Sequence, residues 1–433
     1  MNSEKLFALA KAKGLDDLQI VADTAEALNL VYYEGTVERN ETSSISDLTV
    51  SAVLRGQKAV FAVEDLTMPE EDVIDALFDI ASHLEAEPTE IFAGSPSYPA
   101  VSCEPSDFHQ IPLRAKIDLL ADIEQKIRAR EPRVVQIPEI EYEESAVSRR
   151  IENSKGLAIE KRSETVAVAF ELVASDGKDS KIGFKYEVKK NFAEIDVDKM
   201  IDAAIEEAVG MFGASPVESG NYPVVVENEA MISLLRSFSG MFSGEAHLKK
   251  ISPIQGKLGE KVFSDKISFI DAPLLPDAVK REPFDDEGVA CYDKTVVDKG
   301  IFKTMLHNLK TAKAFGTEST GNAFRGGASP ANGYIVPGTA SKDELIASME
   351  KGLLITGFDG LHAGLNAISG DLSLKTYGYL VEGGRITRPV TLIILSGNFL
   401  TMMNGVAEVG SDLVFKGGLG CPSIKFEEVS ISG

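Results

Sequence analysis

Hydrophobic residues recur along this chain with two periods, and the switches between them mark its elements. Leu6, Leu9 and Ala10 share a helical side, with Ser3 placed to cap that helix and Gly14 to end it. From Leu18 the period falls to two. Residues 18–22, 30–33, 48–54 and 59–63 predict four strands, with Arg55-Gly56-Gln57-Lys58 as the tightest turn between them. A helix capped by Thr67 then runs through Val73, Ala76, Leu77, Ile80 and Leu84. Residues 86–112, rich in Pro and Ser, predict a loop excursion. A helix over about residues 114–130 carries Ile117, Leu120, Ile123 and Ile127 on one side. Strands follow at 133–137, 139–144 and 157–159. An alternating pair, 165–175 and 182–189, is joined across Asp176-Gly177, a hairpin signal. Residues 197–212 return to helical spacing through Met200, Ala203, Ala204, Ala208 and Met211.

Residues 213–221, Gly-Ala-Ser-Pro-Val-Glu-Ser-Gly-Asn, form the best linker in the sequence. They divide a mixed N-terminal domain, 1–213, from a strand-rich and glycine-rich C-terminal domain, 221–433. The fold class expected is α+β. The second domain opens with Val224-Val225-Val226 and then one long helix. Asn228 is placed to cap it, and Met231, Leu234, Leu235, Phe238, Met241 and Phe242 form its buried face. Its end is Ser243-Gly244-Glu245-Ala246-His247-Leu248-Lys249-Lys250. The glycines at 357, 360, 378, 383–384, 417–418 and 420 match neither a phosphate loop nor a dinucleotide fingerprint, and predict turns and bulges in a bent sheet. A peptide could be gripped there by strand addition to an exposed edge.

Composition narrows the function classes. The chain has 433 residues and a formal charge of −23, which argues against a direct grip on nucleic acid or an anionic membrane. Three cysteines, Cys103, Cys291 and Cys421, make no disulfide framework and fit a reducing cytosol. No signal peptide is expected at the N-terminus, and no apolar run approaches the roughly 20 residues of a membrane span.

Several phrases in the second half carry a family resemblance: Phe284-Asp285-Asp286-Glu287-Gly288, Ser319-Thr320-Gly321-Asn322-Ala323 and Ala367-Ile368-Ser369-Gly370-Asp371-Leu372-Ser373. Leu395-Ser396-Gly397-Asn398 and the tail Cys421-Pro422-Ser423 through Gly433 complete the set. In order and spacing they resemble the TldD/PmbA family, once called modulators of DNA gyrase. The first half resembles it more weakly, through 17–65 and 158–198. The family implies a cytosolic zinc metallopeptidase system acting on unfolded or precursor peptides. In it, TldD-like subunits carry His-Glu-x-x-x-His and a later Cys, and PmbA-like subunits, also called TldE, lack that motif and pair with them. Matched to the motif, the first His falls on Gly244, the Glu on Glu245 and the last His on Lys249. Both imidazoles are absent, and Cys421 matches the PmbA-type tail. The chain resembles the PmbA branch. That implies no zinc on this chain, zinc on a TldD-like partner, and a dimer with that partner or with itself.

Candidate site residues remain open on chemical grounds. Glu245 and His247 read either as a solvated helix end or as part of a metal site with distant ligands. Asp285, Asp286 and Glu287 suit acid–base work or a hard cation, or else a turn that uses carboxylates on backbone amides. His307, after Met305-Leu306, suits a base or a structural strand end. His362 is the third histidine of the second half. A Cys–His hydrolase on Cys421 or Cys291 has no local signature behind it. The rival functions are a self-sufficient homodimeric peptidase with other ligands, a non-enzymatic gyrase regulator, and a peptide-binding module.

Overall fold

The structure is a computed structural model and describes residues 1–85 and 88–433; residues 86 and 87 of the expected excursion lie outside the described residues. The chain divides into two compact units. Unit 1 is Met1–Val173, Gly183–Ile205 and Gly288–Ala290; unit 2 is Ala174–Ile182, Glu206–Glu287 and Cys291–Gly433.

Unit 1 begins with α1 (Ser3–Lys13). Its cap is Asn2, not Ser3: the Asn2 side chain accepts from the Lys5 amide, and Gly14 ends the helix at φ 86°. Then come β1 (Asp17–Tyr33), β2 (Thr36–Leu54) and β3 (Gln57–Val63). Thus the segments 18–22 and 30–33 are one strand, and the segment 48–54 is only the end of another. The sequence hides this because Glu38–Asp47 are exposed throughout, so no apolar alternation marks them. The turn at Arg55-Gly56 is as expected, with both residues at positive φ. Helix α2 (Glu70–His83) is not capped by Thr67, whose amide and hydroxyl instead donate to Asp65 Oδ1. Next are α3 (Leu113–Arg130), β4 (Val134–Gln136), β5 (Ile140–Asn153), β6 (Ala158–Ser175), β7 (Ser180–Lys189) and α4 (Val197–Val209). The strand segments 157–159 and 165–175 merge into β6. One sheet runs β3-β2-β1-β5-β6-β4, with β7 also on β6. Leu18, Ile20, Val50, Ala52, Val73 and Leu77 share one apolar cluster, which fixes α1 and α2 on that sheet. Arg130 ties α3 to α4 through Asp198 and Asp202.

Unit 2 starts with β8 (Gly220–Val226), α5 (Asn228–Phe238) and α6 (Gly244–Leu248), so the expected single helix is two helices. A 3₁₀ turn over Ser239–Phe242 and an extended Ser243 (φ −79°, ψ 141°) separate them. The buried face continues through the break, which is why periodicity does not reveal it. The N-cap position is Glu227, while Asn228 still accepts from the Glu229 amide and donates to Asp412. Then follow β9 (Phe269–Asp271), β10 (Lys294–Asp298), β11 (Ile301–Phe302), α7 (Leu309–Phe315), β12 (Ala323–Phe324), β13 (Gly327–Ala328), β14 (Gly333–Ile335) and α8 (Lys342–Ala347). The last elements are β15 (Lys351–Asp359), β16 (Asp371–Glu382), β17 (Arg385–Asn398), α9 (Phe399–Asn404), β18 (Val406–Val409), β19 (Val414–Lys416), β20 (Leu419–Cys421) and β21 (Ile424–Ser432).

One six-stranded sheet runs β17-β16-β15-β8-β21-β18, another β11-β10-β9-β14-β20-β19, and β12 and β13 pair separately. In the first, Ile394–Ser396 of β17 also pair with Ser430–Ser432 of β21, so the sheet partly closes on itself. Arg385–Ile393 of β17 stay paired on one side only, with β16. The expected bulge is present: register shifts between Thr376 and Gly378, and a Cβ on Gly378 would lie 1.9 Å from the Leu354 carbonyl oxygen. The core holds Phe238, Phe242, Phe263, Phe269, Phe302 and Phe399, with Phe238 and Phe399 stacked at 4.3 Å. The fold is α+β.

Candidate functional site

Position 244 sits at the start of α6 against the segment that leads into α7. Ser243 bridges to Leu306, the Gly244 amide donates to the Leu306 carbonyl at 2.8 Å, and the Leu306 amide donates to Phe242 at 2.9 Å. These backbone bonds bring His307 onto Gly244. A Cβ there would lie 2.7 Å from His307 Nδ1, from Thr311 Cβ and from Thr311 Oγ1. The space that a side chain at 244 would enter is filled by two buried side chains.

His307 is fixed from several sides. Its amide donates to Thr320 Oγ1 at 2.7 Å, its carbonyl accepts from the Thr320 amide and the Ser319 hydroxyl, and Nδ1 lies 3.1 Å from Thr311 Oγ1. Thr311 closes a capping box at the start of α7: Asn308 Oδ1 accepts from the Thr311 amide at 2.8 Å, and the Asn308 amide donates to Thr311 Oγ1 at 3.2 Å. The same Asn308 reaches back through Nδ2 to Glu245 Oε1, and Glu245 Oε2 accepts from the Ala328 amide at 3.1 Å.

His247 is not at a solvated helix end. It is 3 % exposed, bonds the Met241 carbonyl through Nε2 at 3.0 Å and stacks on Phe302. Because a carbonyl only accepts, that nitrogen carries the proton. Burial pushes the His247 pKa below the ordinary range, against the pull of Met241. Burial does the same to His307, where the Glu245 charge opposes the shift and His247 reinforces it. His247, Glu245 and His307 therefore share one electrostatic neighbourhood. His362 is exposed on a separate turn.

The acidic run also converges here. Asp285, fully buried, accepts from the Ala323 amide at 2.9 Å and from Glu287 N at 3.0 Å. Asp286 accepts from the Arg325 amide at 3.1 Å, and Glu287 accepts from the Leu309 amide at 2.7 Å. All three carboxylates thus bind backbone amides, which holds the 285–287 turn against 323–325 and the start of α7. Two of the sequence phrases, 284–288 and 319–323, meet around His307. Two others meet elsewhere: Asp371 and Asn398 pair at 3.0 Å, where the amide of Asn398 lowers the Asp371 pKa. In the tail, Ser423 donates to Asp412, which also accepts from Asn228.

Zinc does not fit the residues at the motif positions. Gly244 has no donor, Lys249 is exposed, and both Glu245 oxygens are engaged by Asn308 and Ala328. Among the described residues no group of three or more His, Cys, Asp or Glu side chains is arranged to hold a metal ion. Neither thiol of the second half suits a nucleophile: Cys421 is fully buried, which pushes its pKa well up, and buried Cys291 donates to the Gly321 carbonyl at 3.1 Å. Sequence reasoning missed Asn308, Thr311 and Thr320. An Asn followed three residues later by a Thr at a helix start was the available signal for the first two.

A buried polar group lies on β9 and β10. Asp271 pairs with Lys294 at 3.3 Å and accepts from Asn322 Nδ2 at 2.7 Å and from the Ala331 and Asn332 amides. It pins the 319–332 segment to the sheet. Among the described residues no helix is long and apolar enough to cross a membrane.

Comparison with known proteins gives a family-model match over residues 219–433, the PmbA/TldA metallopeptidase C-terminal domain, and another over 106–212, the PmbA/TldA metallopeptidase central domain. A Buchnera aphidicola protein (subspecies Acyrthosiphon pisum) described as a "Metalloprotease PmbA homolog" is 26 % identical over 60 % of this chain. That alignment spans 58 % of the relative's own length. A Thermotoga maritima crystal structure, provisionally assigned as a modulator of a DNA gyrase, matches with a TM-score of 0.93 at 31 % identity, covering 99 % of each chain. TldE from Thermococcus kodakarensis shares the fold, with a TM-score of 0.87 at 22 % identity over 99 % of each chain.

Proposed function

The chain belongs to the TldD/PmbA metallopeptidase family, and from that premise we propose that it is the PmbA/TldE-type subunit of a two-subunit peptidase acting on unstructured peptides. The observation that carries this reading is the closure at Gly244. The motif position that would bear the first imidazole has no side chain, and His307 and Thr311 occupy the space one would need. The retained Glu245 works as a clamp between α6, Asn308 and Ala328. A TldD-like partner would hold the zinc and supply the activated water. This chain would contribute surfaces that complete the peptide channel. Its likeness to TldE in fold favours the same assignment. The charge of −23 suits contact with a protein or peptide better than with DNA, so we assign no direct DNA role. Its three free cysteines suit a reducing cytosol.

The test is reconstitution. The chain, a TldD-like subunit and their mixture are each assayed for cleavage of an unstructured peptide. The mixture should cleave faster than the partner alone, and this chain alone should not cleave. Chelator-sensitive cleavage by this chain alone would overturn the assignment.

A further inference from the structure

Glu245 does more than tie α6 to α7. With Asp285 and Asp286 it holds the β12–β13 hairpin at three backbone points. Asp285 accepts from the Ala323 amide at 2.9 Å, Asp286 from the Arg325 amide at 3.1 Å and Glu245 from the Ala328 amide at 3.1 Å. The Asp286 amide in turn donates to the Ala323 carbonyl at 2.8 Å. Bonds to charged acceptors are stronger than neutral ones. A hairpin of two short strands is marginal by itself, so these contacts fix where its apex stands.

The apex is Arg325-Gly326, between the paired Phe324 and Gly327. Both apex residues have positive φ, 55° and 78°. A two-residue turn of that kind favours Asn-Gly, because Asn tolerates the left-handed region better than longer side chains do. An arginine stands there at a conformational cost. Its side chain is exposed, and among the described residues its guanidinium makes no ion pair or hydrogen bond. A Cβ on Gly326 or Gly327 would meet nothing within 4 Å, so the apex faces open space. The carboxylates of Glu245, Asp285, Asp286 and Glu287 are all bound to amides. Helices α6 and α7, joined to this hairpin through Glu245 and Asn308, add the exposed cations Lys249, Lys250 and Lys310.

We propose that Arg325 is an anion-binding residue that recognises a carboxylate of the bound peptide, and so gives this chain a preference for acidic peptides or free C-termini. A guanidinium is a planar fork that matches a carboxylate with two parallel hydrogen bonds. Held on a rigid apex, it loses little freedom when it binds. The chain's charge of −23 repels an acidic ligand elsewhere, so attraction has to come from a fixed cation of this kind. The inference rests on the reading of the chain as a peptide-handling subunit, but its test needs neither partner nor cleavage. Failure of the reconstituted mixture to cleave counts against that reading; the binding preference below decides this one.

The experiment is fluorescence anisotropy on the full chain with a labelled, unstructured, glutamate-containing peptide. Its counterparts carry an amidated C-terminus, glutamine in place of glutamate, or both changes. The parent should bind the glutamate peptide about three- to tenfold more tightly than the doubly changed one, and salt should shrink the difference. A drop on amidation alone assigns the terminus, and a drop on the glutamine change alone assigns the side chains. Arg325→Asn is the deciding variant, because it suits the turn better than arginine. It should melt no lower than the parent and lose the preference, while Arg325→Lys keeps the charge and part of the preference. Three results would overturn the proposal: no binding of the glutamate peptide by the parent, equal binding of all four peptides, or a preference that survives in Arg325→Asn. A preference lost only together with the fold would mark Arg325 as structural and overturn it as well.

Discussion

Glycine at position 244 is demanded by its neighbours. Thr311 is fully buried and its Cβ cannot swing aside, so a methyl group at 244 would displace α7 or His307. Gly244→Ala should cost about 1–3 kcal/mol, as overpacking does, and denaturant unfolding would measure it. Restoring both motif imidazoles, Gly244→His with Lys249→His, should destabilise the chain further and give no stoichiometric zinc binding in calorimetry. Tight binding by that variant would show the space to be open. The buried imidazoles make a second prediction. Well above about pH 6.5, His247 and His307 are neutral in both folded and unfolded chains and contribute nothing to pH dependence. As pH falls through that value, the unfolded chain takes up protons that the folded rings refuse, so stability is lost toward acid. Ring titration by NMR should place both below the ordinary His value, and the loss should shrink in His247→Gln. A ring titrating at or above that value would contradict the burial argument.

At the scale of elements, α7 depends on one residue twice. Asn308 caps the helix and donates to Glu245. Asn308→Ala should cost about 0.5–2 kcal/mol through the cap. Amide exchange should speed up in α7 and not in α5; equal acceleration in both would mean that the site does not unfold as a local unit. Much at this scale was legible in the sequence. Helices α3 and α4 follow from their periods, and the turns at Arg55-Gly56 and Asp176-Gly177 from their residues. What was not legible has physical causes. The exposed run in β2 has no core-facing pattern to read. The break between α5 and α6 keeps the apolar spacing of one helix, and is set by Leu306, far along the chain. The Glu245–Asn308 contact likewise joins residues 63 apart. The family phrases were legible as words, but their meeting around His307 depends on tertiary pairing. The capping pair Asn308 and Thr311 could have been read locally and was passed over.

At the scale of the molecule, one of the two six-stranded sheets of unit 2 partly closes through β17 and β21. The central claim remains that this family member holds no catalytic metal. Elemental analysis of the purified, zinc-incubated and dialysed chain tests it most directly, with peptide cleavage assayed on the same sample. The account predicts far less than one zinc per chain and no cleavage. About one zinc per chain, with chelator-sensitive cleavage, would contradict it.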